Sequence, residues 1–378
     1  MNEPLLQTTL LQEFQWFHRH PELSFAEEAT TARLRQSLQQ AGIRILSLPL
    51  KTGLVAELGT GKTPMIALRA DIDALPVEET TDLPYRSEAS GKMHACGHDF
   101  HMTSVLGAAL LLKEQEPALP GTVRIVFQPG EEAPGGALDI LKSGALSNAA
   151  AIFGLHSSPE LPVGTAAFRE GAVTAAVDQF RITFTGKGSH AAHPENGIDP
   201  IVTAASFITA VQSIVSRSSS PFAANLVSIT HIESGNTWNV LPETAFLEGT
   251  ARTLQARERE LVRTRLHGLA EYTAKAYGAK ASVDWIAGPP ATHNTPEWTD
   301  LARQTAEESG LLTRTAPVSL IGEDFAYYQE KLPGTFLMIG TGKSAPLHNP
   351  HFQADPQALL PTARYLARLA EKALEKLS

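Results

Sequence analysis

His94, Cys96, His98, Asp99 and His101 fall within eight residues, His94-Ala95-Cys96-Gly97-His98-Asp99-Phe100-His101, and Cys96 is the only cysteine in the chain. Each of these side chains can bind a transition metal. In an extended segment residues i and i+2 point the same way, so Cys96 and His98 are expected to grip one ion together. A thiolate beside an imidazole suits zinc and its first-row neighbours better than magnesium or calcium. A lone cysteine is ordinarily a small buried hydrophobe. The histidine one glycine away turns the reading toward ligation.

Glu131, Glu132, His156 and His348 extend the set. A two-metal hydrolase needs about five or six protein ligands around ions roughly 3.5–4 Å apart, with a ligand and a water between them. Cys96, His98, Glu132, His156 and His348 are candidates. Cys96 and Glu132 bring two negative charges against four positive ones. The surplus acidifies the bridging water, polarises a carbonyl and suits an anionic substrate. A base must still take the proton. Adjacent side chains point apart, so Glu132 can hold an ion while Glu131 faces the water. Asp73 is expected to orient a ligand from behind. His94 and His101 are read as supporting or packing histidines. His18 and His20, just before Pro21, are read as capping or packing.

These residues need a scaffold that collects them. An amphipathic helix is expected over 5–18. Ser24-Phe25-Ala26-Glu27 has capping-box spacing and opens a helix ending at Gly42. Apolar runs at 53–58, 65–69, 123–127 and 150–154 read as buried strands. Helices are expected at 103–116 and 137–143. Strands alternating with helices predict an α/β fold with a mainly parallel central sheet. Ligand sites in such sheets lie beyond the carboxyl ends of the strands. Asp71 and Asp73 follow the second strand, Glu131 and Glu132 the third, and His156 the fourth, so acids and imidazoles distant in sequence land on one edge.

Near Asp178 the pattern changes. Strand 179–185, helix 200–216, strands 226–232 and 245–252, helix 255–277 and strand 281–286 follow the order of a ferredoxin-like α+β unit. Gly288-Pro289-Pro290 ends it. Helix 297–309, strand 335–339 and a closing amphipathic helix from Pro361 resume the α/β pattern. The expected organisation is a catalytic domain in two parts, 1–177 and 290–378, interrupted by a lid at 178–289.

The chain has 378 residues, 43% hydrophobic and 19% charged, with a net charge of -9. That balance argues against a nucleic-acid partner. One cysteine forms no internal disulfide, and the N-terminal residues lack a signal-peptide pattern, so a cytoplasmic location is expected. The apolar runs are too short to span a bilayer. Gly59-Thr60-Gly61-Lys62-Thr63 and Gly340-Thr341-Gly342-Lys343-Ser344 lack the earlier glycine of a phosphate-binding loop and are read as turns.

Several runs together resemble the amidohydrolase branch of the M20 metallopeptidases. They are His18-Arg19-His20-Pro21-Glu22-Leu23-Ser24, Arg69-Ala70-Asp71-Ile72-Asp73-Ala74-Leu75-Pro76, the Cys96 cluster, Gln128-Pro129-Gly130-Glu131-Glu132, Gly154-Leu155-His156, Gly186-Lys187-Gly188-Ser189-His190-Ala191-Ala192, Gly322-Glu323-Asp324-Phe325 and Leu347-His348-Asn349-Pro350. The resemblance covers nearly the whole chain in matching order. It implies hydrolysis of N-acyl amino acids (N-acetyl, hippurate-type or auxin-conjugate) with two divalent ions, Mn2+, Zn2+, Co2+ or Ni2+. It implies Cys96, His98, Glu132, His156 and His348 as ligands, Cys96 bridging, Glu131 as general base and Asp73 as the orienting acid. In the wider superfamily the position of Asp71 is a metal-binding histidine. The resemblance further implies that His190 stabilises the oxyanion, reaching a partner's active site in related dimers. Asn239 and Arg252 are implied to hold the substrate carboxylate, with an exposed strand residue as the competing reading of Arg252. A homodimer through the lid is implied. Rival readings are an M20-type dipeptidase or aminopeptidase, a hydrolase with Cys96 as nucleophile, and a metal-stabilised binding protein.

Overall fold

The computed structural model describes residues 3–59, 61 and 63–378. Thr60 and Lys62, in the first of the two Gly-Lys turns, lie outside them. The chain divides into two compact units. One comprises Met1–Val173, His293–Pro317 and Asp324–Ser378, the other Thr174–Thr292 and Val318–Glu323.

The first unit is built on an eight-stranded sheet. From edge to edge its strands are Arg44–Ile45, Leu54–Gly59, Thr122–Gln128, Met65–Asp71, Ala151–Ser158, Gly334–Gly340, Thr165–Phe168 and Leu312–Thr315. The four strands from Thr122–Gln128 to Gly334–Gly340 run parallel. Every residue of Met65–Asp71 is buried, as a strand covered on both faces requires. Alternate side chains serve opposite faces. Leu54, Ile66, Leu68 and Phe153 join the core under helices Glu3–Arg19, His98–Glu114 and Leu359–Leu377. Val55, Met65, Ala67 and Ile152 pack with Ala137, Ile140 and Tyr328 on the other face.

Three local expectations change. The helix after Phe25 starts at Glu28, and Ser24 does not cap it. Ser24 Oγ donates instead to Asp73 Oδ2 (2.7 Å), and the Glu27 carboxylate accepts from Gly130 N, Phe25 N and Thr52 Oγ1. The capping-box spacing therefore serves tertiary contacts. Cys96 and His98 do not share an extended segment, because His98 opens the helix His98–Glu114 and Gly97 precedes it in a left-handed conformation at φ +82. His156 lies within the strand Ala151–Ser158 rather than after it, and Asp71 is the last residue of its strand.

The second unit has a four-stranded antiparallel sheet in the order Leu226–Ser234, Thr244–Thr253, Ala176–Thr185, Lys280–Ala287. Helix Pro200–Ser213 follows the first strand in sequence and helix Ala256–Ala276 follows the third, giving the ferredoxin-like order. Phe180, Ile182, Phe184 and Leu247 pack against Phe207, Val211, Val262 and Leu266. Asp199 caps the Pro200 helix, accepting from Ile201 N and Val202 N. Helix plus following turn, Pro200–Ser218, is long and apolar enough to cross a membrane by length and composition; its apolar residues are dispersed among serines and threonines, so run length alone misses it. Ala175 N–H donates to Ile321 O, which ties the Val318–Glu323 segment into this unit.

Candidate metal centre

Four chain segments of the first unit, the loop carrying Glu132 among them, bring their side chains to one point at the carboxyl edge of the parallel strands. The Gly97 turn supplies Cys96 and His98. A Cβ at Gly97 would sit 2.5 Å from Ser157 Oγ, so only glycine fits both the space and the positive φ. The strand Ala151–Ser158 supplies His156. The loop before Phe352 supplies His348, itself at φ +64, with its N–H on Ala95 O. Cys96 Sγ lies 3.4 Å from His156 Nε2 and 3.3 Å from His348 Nε2. His348 Nε2 is 3.2 Å from Glu132 Oε1.

Donor atoms of Cys96, His98 and His156 all lie within 4.8 Å of one another, and so do those of Cys96, Glu132 and His348. Two triads thus share the sulfur. The first is fully buried, whereas His348 in the second is exposed. His98, Glu131 and Glu132 form a third such group.

Orientation of the imidazoles is fixed from behind. His98 Nδ1 is 2.9 Å from Asp73 O, and His156 Nδ1 is 2.9 Å from Ser157 O. A carbonyl only accepts, so both rings carry the proton on Nδ1 and present Nε2 to the sulfur. The buried His98 Nε2 has no hydrogen-bond partner, and Glu132 Oε1 is met by His348 Nε2 at 3.2 Å. A buried ring nitrogen left over beside a thiol, a carboxylate and further imidazoles fits a pair of divalent first-row ions.

The Asp73 side chain stands behind His98, its Oδ1 3.4 Å from His98 Nδ1, and it also holds the glutamate loop. Its Oδ1 accepts Glu131 N (3.1 Å) and its Oδ2 accepts Glu132 N (3.0 Å). Its backbone carbonyl holds His98. One residue therefore sets both the glutamate loop and an imidazole. Glu131 Oε1 accepts Asp324 N at 3.4 Å.

Charge in the site follows from burial and neighbours. Burial pushes the Cys96 thiol well up, so ionisation needs a cation beside it. Burial alone would lower His98, but the Asp71 carboxylate and Cys96 reverse that and raise it well above the ordinary histidine range. Burial drops His156 to about 3, leaving a neutral ring ready to ligate. The hydrogen bond to Glu132 raises His348.

Sequence reasoning missed the support beneath. Arg69 is completely buried and donates to Gln128 Oε1, Asp71 Oδ2 and Asp324 Oδ1. A lone arginine inside an otherwise apolar strand was the available signal. Asp324 also accepts Gln128 Nε2 and Ala137 N, and burial still lifts it to about 6. His18 is no simple packing residue: its ring bridges Asp99 Oδ2 (2.6 Å) and Glu79 Oε1 (3.2 Å). His94 is buried with neither ring nitrogen partnered.

His190, Asn239 and Arg252 belong to the second unit. Ser189–His190 pairs with Val240–Leu241, and Ala191 N–H donates to Asn239 O, so His190 and Asn239 are neighbours on one ribbon. His190 is exposed and Asn239 half-buried. Arg252 is half-buried within Thr244–Thr253, opposite Val177 and Leu226, rather than on that ribbon.

The sequence profile of peptidase family M20/M25/M40 matches residues 67–372. The chain belongs to this family. The M20 chain is 45% identical over 377 residues to an N-acetylcysteine deacetylase of Bacillus subtilis, covering 99% of both proteins. It is 37% identical over 369 residues to IAA-amino acid hydrolase ILR1-like 5 of Arabidopsis thaliana, covering 94% of this chain and 85% of the relative. The crystal structure of the Bacillus subtilis YXEP protein, described as a dinuclear metal binding peptidase from the M20 family, superposes with a TM-score of 0.91 at 41% identity over 99% of each chain. The M20 chain is thus a metal-dependent amide hydrolase with a centre for two divalent ions.

Proposed function

We propose that the protein cleaves the amide bond of N-acyl amino acids, releasing a carboxylic acid and an amino acid. The observation that carries this is one sulfur shared by two ligand triads, with Glu131 beside them, in a chain similar end to end to a deacetylase of an N-acyl amino acid. Bound metal supplies polarisation of the amide carbonyl and an acidified water. Cys96, His98, Glu132, His156 and His348 hold the ions. Glu131 takes the proton from the attacking water and delivers it to the departing amine. Asp73 keeps Glu131 and Glu132 in register. His190 donates to the developing oxyanion, and Asn239 and Arg252 receive the substrate carboxylate, for which a guanidinium fork is suited. The raised thiol pKa speaks against Cys96 as nucleophile, since the thiolate is the reactive form.

Glu131→Gln is the test. Turnover of N-acetyl-methionine and hippurate should fall by several orders of magnitude with two ions per chain retained. Normal hydrolysis by that variant would remove Glu131 as the base. Mn2+, Zn2+, Co2+ and Ni2+ are the proposed native ions, a sulfur-nitrogen-oxygen donor set supporting each. Dialysis against EDTA followed by reconstitution ranks them.

We also propose a homodimer through the second unit and a cytoplasmic location. The edge strand Leu226–Ser234 pairs on one side only and exposes Ile232, and the Pro200 helix exposes Ile201 and Val202. Such an edge beside apolar surface supports a second copy as its cover. Sedimentation should give a dimer that Ile232→Lys dissociates; a wild-type monomer at every concentration overturns the dimer. A single cysteine placed as a ligand supports a reducing compartment, and cell fractionation checks it. The net charge of -9 supports a small-molecule substrate rather than nucleic acid.

A further inference from the structure

Asp71 and His101 are assigned neither to the ions nor to the reacting atoms above, yet both are completely buried. Asp71 Oδ2 accepts Arg69 Nη1 and its Oδ1 lies 2.7 Å from His101 Nδ1. On the other side of the ring, Ser157 N–H donates to His101 Nε2 at 2.7 Å. An amide N–H only donates, so Nε2 is the acceptor and the ring proton sits on Nδ1, pointing at Asp71. The ring is a neutral, oriented bridge between a carboxylate and a strand backbone.

That backbone belongs to a residue with two polar groups turned to the metal centre and a third turned to His101. Ser157 O receives the Nδ1 proton of His156, Ser157 Oγ donates to Cys96 O at 3.0 Å, and Ser157 N meets His101. The ladder between Met65–Asp71 and Ala151–Ser158 ends at the pair Arg69–Gly154. Beyond that point Ser157 N–H has no strand partner on that side, and His101 takes the partner's place.

Asp71, His98 and His101 also form a cluster with ligating atoms within 4.8 Å of one another. It is not a third ion site. Both Asp71 oxygens accept hydrogen bonds, His101 Nε2 is occupied by Ser157 N–H, and His98 Nδ1 donates to Asp73 O.

We infer that Asp71 and His101 are positioning residues that hold Ser157, and through it His156, in place for the buried ion of the Cys96–His98–His156 triad, while the ion of the Cys96–Glu132–His348 triad depends on them much less. The inference rests on the two-metal reading and deepens it.

The test is metal binding, not turnover. Wild-type protein, His101→Leu, His101→Gln and Asp71→Asn are stripped and titrated with Co2+, following the cobalt absorption spectrum and the ions retained per chain after dialysis. Removing a hydrogen-bond partner that orients a metal-ligating histidine typically weakens metal binding by about 10- to 100-fold. His101→Leu should weaken one of the two equivalents by that factor and alter its spectrum, with the other little changed. His101→Gln can return an acceptor to Ser157 N–H and should recover most of the loss. Asp71→Asn should resemble His101→Leu, and covers the case in which the leucine variant does not fold. Thermal melting of the metal-free proteins separates positioning from general destabilisation. Two equivalents of unchanged affinity, equal weakening of both, or no recovery with glutamine each overturn the inference while leaving the two-metal centre standing. A wild-type protein that binds no second ion overturns the two-metal reading and this inference with it.

Discussion

Cys96 and His98 must both lose a proton before they can hold an ion. Burial keeps the thiol protonated, and Asp71 with Cys96 keeps His98 protonated above the usual histidine range. Binding therefore releases protons, and affinity should rise with pH. Calorimetric titration with Zn2+ in buffers of different ionisation enthalpy should give positive proton release near neutral pH. Release of none would mean that the ligands are already ionised. The cluster that the structure gathers was legible in the sequence because sulfur, imidazole and carboxylate side chains have few other reasons to collect after strand ends. Of the residues behind them, Asp73 and His101 were read as supporting, but what they hold was not legible. Arg69, His101 and Ser157 are ordinary letters whose roles exist only through partners 59, 30 and 61 positions away. Nothing in one chain's spacing names such a partner.

Gly97 shows what the element scale adds. The sequence places Cys96 and His98 on one side by the alternation of a strand; the structure does so with a left-handed turn at a helix start. The outcome is shared and the cause is different. That difference yields an expectation the strand reading lacks. Alanine at this position meets Ser157 Oγ at 2.5 Å and a φ of +82, with roughly 1–2 kcal/mol for the left-handed backbone alone. Gly97→Ala should lower the melting temperature of the metal-free protein and weaken metal binding as Cys96 and Ser157 are pushed apart. An alanine variant with unchanged melting and unchanged affinity would show that the turn tolerates a side chain. The Ser24–Glu27 spacing failed for a related reason. A capping box and a pair of long-range acceptors use the same residue types, and only the chain's path to Asp73 and Gly130 distinguishes them. The strands were easier, because a run buried on both faces has to be apolar throughout and shows as such.

At the scale of the whole molecule, the order of elements announced a parallel sheet and a separate ferredoxin-like unit, since crossover helices and paired strands leave different periods in the sequence. What order does not announce is how segments far apart are locked together. His18 is one such lock: from the last turn of the helix Glu3–Arg19 it reaches Asp99 on the helix His98–Glu114 and Glu79 in the loop between strand Met65–Asp71 and that helix. Burial disfavours its cation, but the two carboxylates outweigh burial and lift it to about 9 from 6.5. Because folding raises this pKa, the native state holds the proton more tightly than the unfolded chain. The contribution is complete below about pH 6.5 and is lost as pH rises through about 9. A shift of this size corresponds to about 3 kcal/mol. Metal-free wild-type protein should therefore lose several degrees of melting temperature between those limits. His18→Gln should begin less stable and change less over the same window, because neutral glutamine can bridge the carboxylates only weakly and does not titrate. Parallel pH profiles for the two proteins would place the lock elsewhere.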